Sequence, residues 1–379
     1  MKRSIALMLV LVFLLPLWAA AEKAPPTVDD RVDRLFRIYG TTGGEVVVAK
    51  DGEIVYQRCY GYTSGRKTDP MTPDHYYRIA SVSKLVTATA VMRLVETGRL
   101  NLDENIGEYL RLEGEKPFFA ASRRFRKVGI TTRMLMSHTS SIYDAYFPQK
   151  IPLREAINVK TAYTSTFYEE KPGTKYHYSN YAAGILGCMI EAITGQLLDE
   201  AVRDLIFQPM GLDAGYSPDY LKHPENMTSG VVRTYGPEID IDHDYYLSYG
   251  NCWMKCADLC RIGIMLCDYG QFGGQQILEE ETVREMLSSQ KGKGGITVDS
   301  PYGLNVHRLN LKDIFPGRTV YGHQGRIDNV LCNLYFEPET RFVFAMVTNN
   351  CNPGDIISGI RYPAYGLLQL LAGEFAPEQ

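Results

Sequence analysis

Residues 76–98 read YYRIASVSKLVTATAVMRLVETG, and this stretch decides the fold. Across residues 81–97 the apolar side chains lie on nearly every side of a helical wheel, with only three charged residues among them. A helix of that composition is buried all round, and the glycine that follows it, Gly98, is typical of a C-terminal cap. The stretch therefore predicts a core helix that begins at Ser81, directly after a strand-like segment at residues 76–79.

The start of this helix carries a candidate nucleophile. A serine hydroxyl attacks poorly until a base takes its proton, and an S-x-x-K spacing places serine and lysine on one helix face. Ser81 and Lys84 have this spacing. Partial burial beside a helix N-terminus lowers a lysine pKa towards that of a neutral amine base, and the same helix end offers N–H groups to an oxyanion. We therefore take Ser81 as the candidate nucleophile and Lys84 as its activating amine.

The S-x-x-K pattern alone is weak, because it occurs twice more in this chain. Ser64 and Lys67 flank a polar turn that contains glycine, and Ser288 leads into the glycine- and lysine-rich residues 291–295. Neither copy opens a buried helix as Ser81 does. The alternative interpretation of Ser81 is a serine that only caps its helix, followed by a lysine that reaches towards solvent.

The regions on either side of this helix predict sheet. Residues 45–50 and 53–60 are β-branched runs joined by Asp-Gly, which favours a hairpin. Helical patterns dominate from there to about residue 289, including 180–194 closed by Gly195 and 256–268 closed by Gly270. Strand patterns then return at residues 302–306, 319–322, 330–336 and 341–347, and residues 356–371 read as a closing helix.

This order predicts an α+β fold in which one antiparallel sheet is built from both ends of the chain. We assign an α/β lobe to about residues 30–80 and 296–375, and an inserted all-helical lobe to about residues 81–295, within one domain at 22–379. A cleft between the lobes is the expected binding site.

Two further motifs carry polar groups that suit such a cleft. Tyr178 and Asn180 precede a predicted helix, where a phenol can relay a proton and an amide can bind a substrate amide. His323 and Gly325 stand at the end of a predicted strand, where glycine lets a ligand approach the backbone closely. Taken singly, most tyrosines in a chain with 26 of them are packing residues.

In order and spacing, these motifs resemble the serine β-lactamase and penicillin-binding-protein superfamily, nearest its class C and DD-peptidase branch. The resemblance covers nearly the whole chain after residue 21. It is carried by Ser81-Val-Ser-Lys84, residues 135–140 (LMSHTS), Tyr178-Ser-Asn180 and His323-Gln-Gly325.

The resemblance implies a role for each matched residue. Ser81 attacks a carbonyl to form an acyl-enzyme, Lys84 and Tyr178 share the proton transfers, and Asn180 positions the substrate amide. The backbone N–H groups of Ser81 and Arg326 form the oxyanion hole. Tyr249, in a second Y-x-N sequence, lines the cleft wall.

The sequence departs from the class C pattern in two places, and each departure changes what the resemblance implies. The third motif there is Lys-Thr-Gly, whereas His323-Gln-Gly325 supplies no fixed cation, which predicts weak binding of a β-lactam carboxylate. Arg326 either restores that charge or is a surface arginine at the strand end. Ser141 stands where the family often has glycine, and we interpret the neighbouring His138 as structural.

The N-terminal residues and the net charge limit the kinds of partner that we expect for this protein. Lys2 and Arg3 followed by an apolar run to Trp18 predict a secretory signal peptide at residues 1–21, cleaved between Ala21 and Glu22, and no stable membrane anchor. Removal of residues 1–21 takes away Lys2 and Arg3, so the remaining chain is more negative than the formal charge of −4 of the full sequence. The acidic remainder excludes a basic nucleic-acid footprint and favours a small-molecule or peptide substrate.

Neither a cofactor nor a metal is predicted. Cys256 and Cys260 are four residues apart, but no histidine pair or CxxC completes a metal site, and the acidic residues 240–244 suit a solvated loop. The eight cysteines are too scattered for a disulfide scaffold, although they could pair after export.

The sequence thus predicts an exported serine hydrolase that is DD-peptidase-like and acts on D-amino-acid peptides or cell-wall fragments. A class C-like β-lactamase or a carboxylesterase is the alternative within the same chemistry. A sensor that binds peptidoglycan or a β-lactam without turnover is the alternative of another class.

Overall fold

The structure is a computed structural model that describes residues 25–110, 128–143, 168–228, 247–290 and 302–376. The predicted signal peptide and the acidic residues 240–244 lie outside the described residues. The strands are β1 (Gly43–Lys50), β2 (Glu53–Gly61), β3 (Tyr77–Arg78), β4 (Ala214–Gly215), β5 (Trp253–Met254), β6 (Gln271–Phe272), β7 (Gln275–Gln276), β8 (His307–Leu309), β9 (Val320–Ile327), β10 (Val330–Glu337), β11 (Phe342–Thr348), β12 (Ile356–Ile357) and β13 (Ile360–Arg361). The α-helices are α1 (Val28–Ile38), α2 (Ser83–Glu96), α3 (Thr132–Met136), α4 (Asn180–Thr194), α5 (Leu198–Val202), α6 (Leu247–Gly250), α7 (Cys256–Cys267), α8 (Glu280–Leu287) and α9 (Tyr362–Phe375).

The main sheet joins the two ends of the described chain. Its strand order is β2-β1-β11-β10-β9-β8, and the neighbouring strands run antiparallel. In the β1–β11 pair, Val47 lies opposite Ala345 and Val46 opposite Met346. Because successive side chains alternate between faces, Val47 packs into the core shared with α2, α4 and α7, and Val46 into the core shared with α1 and α9. The predicted α+β sheet built from both termini is confirmed.

The helix α1 precedes the first strand, and the sequence analysis does not predict it. α1 begins with a capping box, in which Asp30 N donates to Thr27 Oγ1 and Thr27 N donates to the Asp30 carboxylate. Val32 and Phe36, four residues apart, are buried. This spacing is the ordinary signature of an amphipathic helix, so the signal was present in the sequence.

The closing helix begins later than the predicted 356–371. β12 and β13 form a hairpin first, because Ser358 and Gly359 adopt φ of 49° and 87°, the left-handed pair that a tight two-residue turn requires. α9 then follows, with Pro363 in its first turn, where the missing N–H costs nothing. The apolar residues 356–371 concealed this turn.

The predicted strand at 302–306 is also wrong. Tyr302 makes only an isolated bridge with His307, and β8 begins at His307. Asn305 has φ of 53°, a left-handed conformation that turns the chain back between them.

The predicted all-helical lobe carries short strands as well. β3, β5 and β4 form a three-stranded sheet, and β6 pairs with β7. Tyr77 and Ala214 both pair with Met254, so the small sheet links the segment before Ser81 to residues that follow it by more than 130 positions.

Among the described residues no single helix is both long enough and apolar enough to cross a bilayer. The bent pair at Asn180–Thr194 and Leu198–Phe207, which meet at 80°, satisfies that criterion only when the two are taken together. α4 packs against the helices α2, α3, α5 and α6, with residues such as Ile185 and Leu186 fully buried.

Candidate active site

Ser81 lies in a short 3₁₀ turn, Ala80–Val82, and not at the first residue of the α-helix as predicted. Ala80 has φ of 48°, so the residue before the serine is held in a left-handed conformation. Ser83 fastens the turn, because its Oγ donates to Ala80 O at 2.6 Å and accepts from Cys252 N at 3.1 Å. The turn presents Ser81 on a rigid support, while α2 begins two residues later at Ser83.

Lys84 is completely buried and its amine points back at the serine. Nζ donates to Ser81 Oγ at 3.0 Å and to Tyr249 O at 2.9 Å. The same nitrogen lies 5.1 Å from the centroid of the Tyr178 ring and 5.0 Å from that of Tyr249, within cation–π range of both. The structure thus brings together Ser81, Lys84, Tyr178 and Tyr249, four residues predicted for the site.

Tyr178 and Asn180 flank the start of α4. Ser179 is the N-cap, since its Oγ accepts from Ala182 N at 3.0 Å, and Asn180 is the first residue of the helix. Ser179 N donates to His138 Nδ1 at 3.2 Å, and the His138 ring lies 4.4 Å from the Tyr178 ring. His138 therefore packs against Tyr178 and accepts from the backbone of Ser179, which agrees with its interpretation as a structural residue.

β9 touches the serine turn at Gly325. A Cβ on this residue would lie 2.6 Å from Ile79 O and 2.9 Å from Ser81 N, distances that real side chains do not adopt. Only glycine lets the strand backbone approach the turn this closely. The contact sets Gly325, the residue before Arg326, beside the backbone N–H of Ser81, which is one possible donor to an oxyanion.

Successive side chains of β9 lie on opposite faces of the sheet. His323 and Gly325 pair with Leu334 and Cys332, residues of the core that contains α2. Arg326 pairs with Leu331, which belongs to the core on the opposite face, and its Nε donates to Asp328 O at 3.1 Å. The Arg326 guanidinium is exposed and does not lie beside His323. Of the two interpretations of Arg326, the structure therefore favours the surface arginine.

The site also contains two residues that the sequence analysis did not single out. Tyr302 Oη contacts His307 Nε2 and lies 3.2 Å from His323 Nε2. The Tyr302 ring is 5.0 Å from that of His138 and 6.2 Å from that of Tyr178. No spacing rule joins residues 302 and 307 to 323, since the contact depends on the pairing of β8 with β9.

Three imidazoles of this region are held neutral. Burial lowers the pKa of His138, His307 and His323, that of His307 to about 3, and the charge of Lys84 lowers each of them further. The site therefore surrounds the Lys84 amine with uncharged imidazole rings.

The thiol groups of the cysteines make none of these contacts. All eight are free thiols, and Cys256 and Cys260 lie buried on α7. Among the described residues no group of three histidine, cysteine or acidic side chains is arranged to hold a metal ion.

The Beta-lactamase family profile matches residues 28–359, which span the sheet, the serine turn and the His323 motif. The chain belongs to the beta-lactamase family. Penicillin-binding protein 4 of Amycolatopsis lactamdurans is 29% identical over 328 residues, 84% of each chain. Esterase EstB of Burkholderia gladioli is 30% identical over 204 residues, 50% of each chain.

The chain spans about half the length, or less, of the first curated relatives that it matches. Among solved structures, D-amino acid amidase from Ochrobactrum anthropi SV3 superposes with a TM-score of 0.69 at 20% identity, over 92% of this chain and 98% of that one. At this identity the likeness shows the fold, and it agrees with the antiparallel sheet and flanking helices described above.

Proposed function

We propose that this beta-lactamase family member is a serine hydrolase that forms an acyl-enzyme at Ser81. The observation that carries the proposal is the 3.0 Å contact between Lys84 Nζ and Ser81 Oγ in a buried site. A nucleophile within hydrogen-bond reach of its base, with the base held by a third group, is the arrangement that covalent catalysis requires. Here the third group is the Tyr249 carbonyl, which accepts from the same nitrogen.

In the proposed reaction, Ser81 Oγ forms a bond to the substrate carbonyl carbon as its proton passes to Lys84 or Tyr178. The negative charge on the carbonyl oxygen is met by the backbone N–H groups of Ser81 and Arg326. When the intermediate collapses, the leaving group departs with a proton returned by the same pair. Water then attacks the ester at Ser81 and gives up a proton to that pair, which passes it to Ser81 Oγ as the acid is released.

For the substrate, we propose an acyl compound of the kind that DD-peptidases cleave, a D-amino-acid peptide or cell-wall fragment. Its support is the relative named penicillin-binding protein 4, which matches over 84% of each chain. A carboxylesterase is the second candidate, supported by the match to an esterase. We further propose that the protein works outside the cytoplasm, on the strength of the signal-like residues 1–21.

The test compares the wild-type protein with Ser81→Ala on three reagents: an acyl-D-alanyl-D-alanine peptide, a p-nitrophenyl ester and a penicillin. Turnover of any of them by wild type and not by Ser81→Ala supports the hydrolase. Release of D-alanine would favour the peptidase, and ester cleavage alone the esterase. Binding of all three without turnover of any would favour the non-catalytic sensor and contradict the proposal.

A further inference from the structure

Ser141 stands where the family often has glycine, and its backbone keeps the conformation that favours glycine. Its φ is 61°, in the left-handed region, which a residue with a Cβ adopts only at a conformational cost. The residue is buried, with 2% of its surface exposed to solvent. A buried serine in a strained conformation is expected where its hydroxyl makes a contact that glycine cannot make.

The hydroxyl of Ser141 holds the segment that leads to the tyrosine motif. Ser141 Oγ donates to Glu170 O at 2.5 Å and lies 3.3 Å from Tyr168 O, while Ser141 O accepts from Tyr168 N at 2.8 Å. Glycine at this position could form only the last of these three contacts. The serine side chain therefore adds a tie between the residue that follows the LMSHTS motif and residues 168–170.

Two backbone hydrogen bonds continue this contact towards Tyr178. The donors are Gly173 N and His177 N, and the acceptors are the carbonyl oxygens of Thr139 and His138, at 2.7 and 2.8 Å. The segment before Tyr178 is thus hydrogen-bonded to the LMSHTS motif at several points. The backbone position of the tyrosine therefore depends on these contacts.

Two side-chain contacts join the anchored residues to His177. The Glu170 carboxylate lies 3.1 Å from His177 Nε2, and a hydrogen bond from Lys175 is the main cause that lowers the pKa of this carboxyl to about 2. An ionised carboxylate only accepts, so His177 Nε2 carries the proton and donates to it. The Tyr168 ring stacks on the His177 imidazole, with centroids 3.9 Å apart and 11° between the planes. The two residues whose carbonyls face the Ser141 hydroxyl are therefore the two that hold the side chain of His177.

We propose that Ser141 is a positioning residue that acts through Tyr178. Its hydroxyl fixes the two residues that hold His177, and His177 is joined to Tyr178 by a peptide bond. The inference rests on the proposed acyl-enzyme function, in which Tyr178 shares the proton transfers with Lys84. Loss of the hydroxyl should therefore slow the chemical step more than it weakens substrate binding.

The first test measures kcat and KM for p-nitrophenyl acetate in wild type, Ser141→Gly and Ser141→Ala. Both variants lack the hydroxyl, but glycine adopts a φ of 61° without strain, whereas alanine keeps the Cβ. One lost hydrogen bond corresponds to a factor of about five to ten in rate, so kcat should fall by about that factor in both variants while KM changes by less than about twofold. Thr174→Ala removes an exposed hydroxyl that donates to Lys171 O at 2.6 Å. It is the matched control on the same segment and should keep the wild-type kcat.

A double-mutant cycle with Tyr178→Phe separates positioning from packing. Each variant is assayed at a temperature at which circular dichroism shows it to be folded. If Ser141 acts through the Tyr178 hydroxyl, Ser141→Gly should lower kcat by less than about twofold once Tyr178 is already phenylalanine. The full loss in both backgrounds would overturn the inference, because the serine hydroxyl would then act elsewhere. A wild-type kcat in Tyr178→Phe would also overturn it, since Ser141 would have no tyrosine function to support.

Failure of the proposed function gives a different result. If wild type hydrolyses the ester no faster than Ser81→Ala, the acyl-enzyme function fails and this inference fails with it. If Ser81→Ala is inactive but both Ser141 variants keep the wild-type kcat, the function stands and the inference alone is overturned. Full activity in Ser141→Gly with a loss in Ser141→Ala would overturn it as well, since the hydroxyl would then not be required.

Discussion

Lys84 and Glu45 are both fully buried ionisable residues, yet their surroundings differ. Lys84 finds two oxygen acceptors, Ser81 Oγ and Tyr249 O, and two aromatic faces. Glu45, on β1, accepts from Gln57 Nε2 at 2.7 Å, and burial raises its pKa to about 7 against smaller opposing effects of its hydrogen-bond partners. The comparison shows that full burial alone does not equip an ionisable residue for chemistry, and that the groups around it decide.

The largest effect is expected at Lys84. Lys84→Met fills a similar volume without an amine, so Ser81 loses the group that takes its proton. A positioned acid or base contributes about 10² to 10⁴-fold, and we expect kcat/KM for a p-nitrophenyl ester to fall by about 10³-fold. Lys67→Met, in the S-x-x-K copy at Ser64, is the matched control and should leave kcat/KM unchanged. Equal losses in the two variants would remove the distinction that we draw for Lys84.

A smaller loss is expected at Gly325, where the strand meets the serine turn. Gly325→Ala places a Cβ 2.6 Å from Ile79 O, which must push β9 away from Ser81 N. Loss of one oxyanion donor costs about 10² to 10³-fold in kcat, so kcat should fall by about 10²-fold with a smaller change in KM. Gly373→Ala in α9 meets nothing within 4 Å and serves as the control. Unchanged kcat in Gly325→Ala would show that the strand contact does not shape the oxyanion hole.

Glu45 should affect stability and not catalysis. Its native pKa of about 7 lies above the ordinary 4.5, so the folded protein holds the proton more tightly than the unfolded chain. Stability from this residue is therefore greatest below pH 4.5, is lost as pH rises to about 7, and stays low above that. Glu45→Gln should raise the free energy of unfolding by about 1 to 3 kcal/mol at pH 8 and by much less at pH 5.

Urea denaturation of wild type and Glu45→Gln at the two pH values measures this difference. Glu53→Gln, at the exposed start of β2, is the control and should show no such dependence on pH. A stabilisation of the same size at pH 5 and pH 8 would mean that ionisation of Glu45 is not its source.

Local signals explain which parts of this fold could be predicted from sequence. α4 matches its predicted bounds because Ser179 caps its start and Gly195, with φ of 73°, ends it. β10 was likewise found from its β-branched and aromatic run. The β12–β13 hairpin was missed because its turn, Ser358 and Gly359, lies inside an apolar stretch that also suits a helix.

The residues of the candidate site also differ in whether they could be predicted from sequence. Ser81, Lys84 and Tyr178 could be found from spacing and from the family resemblance, because they sit in short motifs next to predicted helices. Tyr302 and His307 could not, since their contact with His323 exists only once β8 pairs with β9. Two interpretations of Arg326 remained for a related reason. The register of β9 against β10 decides which face of the sheet carries the guanidinium.

The most direct test of the account is the intact mass of the protein after a brief, acid-quenched exposure to an activated ester and, separately, to a penicillin. The account predicts that the ester adds the mass of one acyl group to wild type, that the acyl group maps to the peptide containing Ser81, and that Ser81→Ala gains nothing. An adduct that persists in Ser81→Ala, or ester hydrolysis that is equal in the two proteins, would contradict the assignment of Ser81 as the nucleophile.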